Sequence, residues 1–336
     1  MSDHTFRPAW WVPGPHAQTM YGKFFRRVPP LPTRRERWNT PDGDFVQLER
    51  LDAPADAPPG APRLLVLHGL EGAPRSHYVQ GLFAESLRRG WAMDLLIFRS
   101  CAGEPNRARR LYHSGETEDI DLVVRRIRRD HPDAPLAAVG VSLGGNVLLK
   151  WLGEQGSAAR PVLAAAAAVS VPYDLARGSR HIERGFSRVY ARSFLRSLKR
   201  KAAAKRDRFP DLYDPDALAR ARTLWEFDHH VTAPVHGFAS AADYYHRSSA
   251  IHFLPRVRVP TLLLSAADDP FLPRAVLDEV RAVAAANPAL TVQFVEHGGH
   301  AGFVGGRLPW RPDFWAESRV IDHVSRHASA TPTGSR

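Results

Sequence analysis

The chain has 336 residues, 44% of them hydrophobic, which suits one large α/β domain with an insertion, or two small domains. Its single cysteine excludes an internal disulfide and suits a reducing compartment, and no segment reaches the roughly 18 consecutive apolar residues of a membrane span. The formal net charge of +11 comes mainly from arginine and accompanies no recognition motif, so we expect no specific nucleic-acid partner.

Short apolar runs alternate with amphipathic stretches along the chain, as they do in stacked βαβ units. The beginning, MSDHTFRPAWW, lacks the basic and apolar regions of a secretory signal, so we expect a cytoplasmic location. The predicted strands are Phe45–Leu51, Leu64–His68, Ala92–Phe98, Leu136–Gly140, Val162–Val171, Thr261–Ser265 and Thr291–Glu296. The predicted helices are Tyr78–Arg89, Thr117–Asp130, Gly144–Glu154, Arg274–Ala286 and Pro312–His327. Most of the strands are almost continuously apolar, which predicts a mostly parallel central sheet covered by helices on both faces.

Two parts of the chain depart from this alternation. Thr40 to Gly43 read as a hairpin turn between two early antiparallel strands. Residues from about 174 to 250 are helical, strongly charged and interrupted by prolines, which predicts a helical cap inserted after a central strand, over the carboxyl edge of the sheet. We therefore predict one domain over residues 1–328, and a disordered tail at 329–336 because those residues are small and polar.

The sequence Gly140-Val-Ser142-Leu-Gly144 matches the Gly-x-Ser-x-Gly pattern of a serine nucleophile. The bare pattern occurs by chance in roughly one chain in ten of this length. Here, however, it follows an apolar strand and opens an apolar helix, which is the strand–turn–helix setting that the motif requires. Glycines two positions before and after Ser142 would let the strand and the helix pack closely around a serine with a strained backbone. Ser142 is therefore the candidate nucleophile.

A second glycine-containing loop, His68-Gly-Leu70-Glu-Gly72, follows the apolar strand that begins at Leu64. In a strand–turn–helix serine hydrolase, this loop and the residue after the nucleophile each supply a backbone N–H to the oxyanion hole. The candidate donors are the amides of Leu70 and Leu143. We interpret His68 as a structural histidine that bonds its own loop.

A serine hydroxyl needs a base to remove its proton and a carboxylate to orient that base. Both follow strands later in the chain, in the order Ser, Asp, His. Asp268 and Asp269 both end the Thr261 strand, and we favour Asp269 because Asp269 to Pro273 form an Asp-x-x-x-Pro turn. His297 and His300 are both candidates for the base, and we favour His300 because glycines surround it.

With these motifs, the sequence resembles the YheT-like branch of the α/β-hydrolases, which is related to the abhydrolase-domain lipases. The resemblance extends from about Phe6 to Val320 and implies the α/β-hydrolase fold. Its marks are Pro15-His-Ala-Gln-Thr19, Pro41-Asp-Gly-Asp44, His68-Gly-Leu-Glu-Gly72, Tyr112-His-Ser-Gly-Glu116, Gly140-Val-Ser-Leu-Gly-Gly-Asn146, Phe227-Asp228, Ala233-Pro-Val-His-Gly-Phe238, Tyr244-Tyr245, Asp268-Asp-Pro-Phe271 and Gly299-His-Ala-Gly-Phe303. One departure is Arg99-Ser100-Cys101-Ala102, because the family is expected to have Arg-Gly-Cys and further glycine there.

The resemblance implies a carboxylic-ester hydrolase whose triad falls on Ser142, Asp269 and His300. The expected reaction runs through an acyl-enzyme, and the expected substrate is a small-molecule ester, uncharged or lipid-like. A thioesterase or amidase with the same triad, and a non-catalytic binding protein of the same fold, remain alternatives. A haloalkane dehalogenase is disfavoured because its nucleophile is an aspartate. No cofactor is expected.

The cap segment carries a periodic pattern with two open interpretations. Arginines recur every four residues from Arg184 to Arg200, opposite an apolar stripe of Phe186, Tyr190, Phe194 and Leu198. This pattern predicts either a lid helix with its arginines in water or an interfacial helix that makes weak contact with acidic lipid.

Two other groups of residues in the sequence suggest no further chemistry. The cap histidines at 229, 230, 236 and 246 match no zinc spacing, so we expect no metal. Cys101 is interpreted as a structural thiol rather than a nucleophile.

Overall fold

A computed structural model describes residues 5–328. Eight strands form one sheet: β1 Arg34–Asn39, β2 Phe45–Leu51, β3 Arg63–Leu67, β4 Ala92–Ile97, β5 Leu136–Val141, β6 Ala165–Val169, β7 Thr261–Ala266 and β8 Leu290–Val295. Their order in the sheet is β1-β2-β4-β3-β5-β6-β7-β8. Pairing is antiparallel at β1–β2 and β2–β4 and parallel for the rest, which confirms the predicted mostly parallel sheet.

Helices cover both faces of this sheet. The helices are α1 Gly14–Phe25, α2 His77–Arg88, α3 Glu118–Asp130, α4 Leu143–Gln155, α5 Leu175–His181, α6 Arg188–Arg206, α7 Pro215–Arg220, α8 Leu224–Phe227, α9 Ala233–His236, α10 Ala241–Ser248, α11 Arg274–Ala285 and α12 Trp315–Ala328. Successive side chains of a strand point to opposite faces, and those of β3 divide accordingly: Leu65 and Leu67 pack with α3, α4 and α11, whereas Leu64 and Val66 pack with α2 and α12. This division explains why the strand is continuously apolar.

Most predicted elements lie within one or two residues of the observed ones, but two boundaries are wrong. The predicted strand Val162–Val171 is shortened to β6 because Val162 and Leu163 bond back to Ala159 in a turn and Ser170 has a positive φ of 50°. The last helix begins only at Trp315, because the residues before it form β10, Arg311–Phe314, which pairs with β9, Val304–Leu308. This β9–β10 hairpin and helix α1 have no counterpart among the predictions.

The six helices α5–α10 occupy the chain between β6 and β7. Part of this segment has an apolar cluster of its own, in which Leu195 of α6 packs with Tyr213, Leu218 and Phe227. We propose, as the sequence predicts, that residues from about 174 to 250 are a cap on a single domain. The predicted disordered tail, 329–336, lies outside the described residues. None of the helices described here is both long and apolar enough to cross a membrane.

Candidate active site

Ser142 lies in a sharp turn between β5 and α4. Its φ of 55° and ψ of −122° lie in a region that side chains rarely adopt, so the turn is strained. A Cβ at Gly140 would overlap the backbone of Gly144 and Gly145, and a Cβ at Gly144 would overlap the carbonyl groups of Leu67 and His68. The two glycines therefore let strand and helix approach closely around the half-buried serine, which stands at the positive end of α4.

Asp269 and His300 form a hydrogen-bonded pair at the carboxyl ends of β7 and β8. The distance from His300 Nδ1 to Asp269 Oδ2 is 2.8 Å, and the distance to Oδ1 is 3.1 Å. The two side chains are only 10% and 5% exposed, so water competes little for this contact. Asp269 Oδ1 also accepts the Phe271 N–H at 2.8 Å, and the Phe271 ring stacks on the imidazole with centroids 4.0 Å apart.

The neighbouring pair that the sequence left as an alternative has a different position. Asp268 Oδ1 accepts the Gly299 N–H at 2.9 Å, and its other oxygen is 3.3 Å from Nδ1 of His297. His297 is 67% exposed, and neither residue lines the cavity that contains Ser142. Asp268 therefore stabilises the backbone of the histidine loop, while Asp269 orients the buried imidazole.

One cavity of about 140 Å³ brings the candidate residues together. Ser142, Asp269 and His300 line it, as do Leu70 and Leu143. Its wall is mainly apolar, with leucine, phenylalanine and isoleucine side chains contributed by helices α5, α6 and α8 of the inserted segment. The cavity thus joins the carboxyl edge of the sheet to the inner face of these helices.

The residues predicted to supply the oxyanion donors, Leu70 and Leu143, line the same cavity as Ser142. In the loop after β3, the Gly69 N–H donates to the Tyr78 hydroxyl at 2.9 Å and the Glu71 N–H donates to the Tyr112 hydroxyl at 3.0 Å. Within residues 5–328, neither the Leu70 amide nor the Leu143 amide donates to a protein acceptor. The two amides that the sequence predicts as donors therefore have no competing protein acceptor within residues 5–328.

Glu71, which sequence reasoning missed, anchors this loop. It has a left-handed φ of 56° and its side chain is only 11% exposed. Lys201 of α6 donates to Glu71 Oε1 at 2.7 Å, Tyr112 donates to the same oxygen at 2.6 Å, and Ser197 donates to Oε2. Burial raises the pKa of Glu71, but the charge and hydrogen bond of Lys201, together with the hydrogen bonds of Ser197 and Tyr112, outweigh this effect. The pKa of Glu71 therefore lies below its usual value, and the carboxylate stays ionised.

The loop that carries His300 is held from two directions. The His300 N–H donates to the Thr19 hydroxyl of α1 at 2.9 Å. The next amide, Ala301 N–H, donates to the Ser170 hydroxyl at 2.9 Å, and Ala301 has a left-handed φ of 53°. No sequence motif identified either hydroxyl, because both contacts join distant segments.

Asp228 is a further ionisable group in the cavity wall. The hydroxyl groups of Thr232 and Tyr245 both donate to its carboxyl group at 2.6 Å. Burial nevertheless raises its pKa to about 6, so the group changes charge near physiological pH. The cavity therefore contains a titratable carboxyl group besides Asp269.

The loop after β4 shows how a serine replaces the expected glycine. Ser100 has a left-handed φ of 62°. Its hydroxyl accepts the Asn106 N–H at 3.1 Å and donates to Asn106 Oδ1 at 2.8 Å. These bonds offset the backbone strain that glycine would avoid. Cys101 lies beside Lys201 with Sγ 3.1 Å from Nζ, and burial raises the pKa of its thiol, which opposes a nucleophilic role.

His68 bonds within its own loop, as interpreted from the sequence. Its Nδ1 is 2.7 Å from the Gly69 carbonyl oxygen and its Nε2 accepts the Phe98 N–H at 3.1 Å. Burial lowers its pKa to about 4, so the ring is neutral and donates from Nδ1.

The other predicted features of the cap segment are arranged as follows. All five arginines of the stripe are exposed, whereas Phe194 and Leu198 line the cavity and Tyr190 is buried; Phe186 is the exception, at 57% exposed. Two of the four cap histidines contact histidines outside this group of four: His236 lies against the ring of His113, and His246 lies against the ring of His252. Among the described residues, no three His, Cys, Asp or Glu side chains converge as metal ligands would.

Comparison with known proteins gives concordant matches. Residues 62–306 match the family described as alpha/beta hydrolase fold. The chain is 44% identical to "Putative esterase YheT" of Escherichia coli K12, over 94% of this chain and 91% of that protein. It is 32% identical to "Phospholipase ABHD3" of Mus musculus, over 91% and 74%. The solved esterase Pf2001 of Pyrococcus furiosus has the same fold, with a TM-score of 0.57 at 13% identity, over 90% of this chain and 98% of that one.

Proposed function

The chain belongs to the α/β-hydrolase fold family, and from this premise we propose that it is a serine hydrolase that cleaves carboxylic esters through an acyl-enzyme. Ser142 is the proposed nucleophile, His300 the base and Asp269 the orienting carboxylate. The observation that carries the proposal is the 2.8 Å contact between His300 and Asp269 at the wall of the cavity that Ser142 also lines. The names of the two curated relatives, an esterase and a phospholipase, support the same class of reaction.

In the proposed mechanism, the Ser142 Oγ attacks the ester carbonyl carbon while His300 takes the hydroxyl proton. The contact of Asp269 with Nδ1 leaves Nε2 of the imidazole to act on the serine, and it stabilises the imidazolium that forms. The carbonyl oxygen becomes an oxyanion that accepts the N–H groups of Leu70 and Leu143. His300 then protonates the leaving alcohol, and water deprotonated by His300 releases the acid and restores Ser142.

The cavity supports an uncharged, lipid-like acyl ester as the substrate class. Its wall is mainly apolar, with leucine and phenylalanine as the commonest apolar residues, and Lys201 is neutralised by Glu71. An acyl chain would bury its apolar surface against this wall while the Lys201 charge stays paired. We also propose that the exposed arginine face of α6 attracts acidic lipid weakly, as the sequence pattern predicts.

A p-nitrophenyl ester series of increasing acyl length, assayed on wild type and Ser142→Ala, tests the proposal. We expect hydrolysis by the wild type and a loss of at least about 10³-fold in Ser142→Ala, together with loss of fluorophosphonate labelling. Rates should rise with acyl length until the cavity is filled. Matched thioesters and amides are assayed in parallel, and faster turnover of either would reassign the substrate class. Labelling that persists in the folded Ser142→Ala variant would contradict the assignment of the nucleophile.

A further inference from the structure

The strongly exposed large apolar side chains of the described residues are confined to three segments. Five of them lie in the amino-terminal segment and the β9–β10 hairpin, and each is between 42% and 77% exposed: Trp10, Phe24, Phe25, Leu308 and Trp310. We call these five the aromatic surface. The other two, Phe186 and Val189, lie at the start of the cap helix α6. Exposed apolar groups scattered at random would not gather in this way.

Contacts between these segments make the aromatic surface continuous. The Trp10 indole N–H donates to the Arg307 carbonyl group at 3.1 Å, which places Trp10 beside the hairpin that carries Leu308 and Trp310. The next residue, Trp11, contacts Tyr21 of α1 with ring centroids 5.1 Å apart, and Tyr21 contacts Phe25 at 5.2 Å. The end of α1 and the turn of the hairpin therefore lie on the same side of the molecule.

Helix α1, which carries Phe24 and Phe25 of the aromatic surface, also contacts residues next to the candidate active site. His16 of α1 contacts the ring of Phe186 at 4.7 Å, and its Nδ1 is 3.3 Å from the Tyr190 hydroxyl. Tyr190 in turn contacts Phe271, which lines the cavity and stacks on His300. Helix α1 therefore connects the aromatic surface, at its carboxyl end, with the surroundings of the cavity, at its amino end.

Basic side chains accompany the aromatic groups. Residues 5–27 contain four basic and no acidic residues, and residues 304–314 contain two basic residues and one acidic residue, Asp313. Lys23 and Arg27 flank the phenylalanine pair, and Arg307 and Arg311 flank the hairpin turn; all four are exposed. Tryptophan and phenylalanine at the headgroup level, with lysine and arginine around them, is the composition that binds interfacially to anionic bilayers.

We propose that the aromatic surface docks on an anionic lipid bilayer. The aromatic rings enter the boundary between headgroups and acyl chains, and the four flanking cations contact lipid phosphates. The cap helix α6 supplies mainly charge, because its arginines are exposed while Phe194 and Leu198 line the cavity, and its one strongly exposed apolar side chain is the small Val189. Docking does not depend on the proposed chemistry, since a catalytically inactive variant retains the same surface.

Co-sedimentation of the full chain as Ser142→Ala tests the proposal, because an inactive protein leaves the lipid intact. The probes are vesicles of phosphatidylcholine alone and of phosphatidylcholine with 30% phosphatidylglycerol. We expect tighter binding to the anionic vesicles, and at least a tenfold loss in Phe24→Ser/Phe25→Ser, since each ring loses its buried area. Trp10→Ser/Trp310→Ser should show a similar loss. These side chains are 63% to 77% exposed, so both variants should fold, which their melting temperatures check.

Two control variants separate this surface from charge in general. Arg129→Gln/Arg281→Gln removes two exposed cations from α3 and α11 and should reduce binding only about twofold. Arg192→Gln/Arg196→Gln on α6 should do the same. Binding that is lost in the α6 variant and kept in both aromatic variants would overturn the proposal and place lipid contact on the cap. A wild-type dimer that the aromatic variants dissociate, without vesicle binding, would overturn it in favour of an interface between copies of this chain.

Discussion

Removal of the Lys201 ammonium group should uncouple the cap helix from the loop that carries the Leu70 amide. In the wild type, Lys201 Nζ lies 2.7 Å from Glu71 Oε1, and the two side chains are 22% and 11% exposed. Removing one partner from a buried ion pair costs about 3–5 kcal/mol, because the other charge stays buried. Since Lys201 is partly exposed and two hydroxyl groups still donate to Glu71, we expect Lys201→Met to cost about 2 kcal/mol.

The same substitution should affect catalysis separately from stability. Glu71 has a left-handed backbone and follows Leu70 directly, so loss of its anchor shifts the Leu70 N–H relative to Ser142. Loss of one oxyanion donor typically lowers kcat by about 10²–10³-fold, and a displaced donor should cost about 10-fold to 10²-fold with little change in KM. Glu71→Gln/Lys201→Met should be more stable than the sum of its single variants, because neither charge is then left unpaired.

Urea unfolding and steady-state kinetics on a p-nitrophenyl ester check these expectations. Arg196→Met is the matched control, because Arg196 is an exposed cation on the same helix and should change stability by less than about 0.5 kcal/mol. A Lys201→Met variant that is destabilised as expected but retains the wild-type kcat would refute the positioning role. The cluster would then hold the cap in place without affecting the donor.

Three further predictions concern the orienting carboxylate, the turn around Ser142 and the cavity wall. Asp269→Asn should lower kcat about 10³–10⁴-fold by favouring the wrong imidazole tautomer. Asp268→Asn should change kcat less than about threefold, because its amide oxygen still accepts the Gly299 N–H. Equal losses of kcat in the two variants would contradict the assignment of Asp269. Gly144→Ala should destabilise the fold by about 3 kcal/mol or more in thermal unfolding, because its Cβ would overlap carbonyl groups at the end of β3; Gly178→Ala, which has ordinary contacts, should be neutral or stabilising. Since the pKa of Asp228 is raised to about 6 in the fold, its contribution to stability is full below about pH 4 and is lost as the pH rises through 6. The unfolding free energy of wild type relative to Asp228→Asn should therefore fall by roughly 2 kcal/mol between pH 4 and 7, and a pH-independent difference would show that the carboxyl group is not perturbed.

Much of the fold could be predicted because a sheet buried on both faces demands continuously apolar strands. Six of the seven predicted strands lie within one residue of the observed ones at both ends, since their hydrophobic runs end where burial ends. Helix α1 and the β9–β10 hairpin were missed for the converse reason. Both lie outside the central sheet, and their residues are held by specific contacts, such as the bonds from Gln18 to Val304, rather than by a periodic pattern.

The candidate site was predictable to the level of loops but not always of residues. The apolar run of β7 and the motif around Ser142 identify which loops follow the strands of the sheet. They do not distinguish Asp268 from Asp269, because both residues follow the same strand and either carboxylate could serve. Only the position of the histidine loop decides that Asp269 contacts the imidazole while Asp268 contacts a backbone amide.

The sequence by itself determined the order of strands and helices, the strained serine turn and the loops that follow each strand. These are local properties, because apolar periodicity and glycine placement act over a few residues. The tertiary structure alone decided which distant groups meet: Glu71 with Lys201, 130 positions later, and His300 with Thr19, 281 positions earlier. Such contacts depend on where packing places the cap helix and the amino-terminal helix, and no local pattern encodes that position.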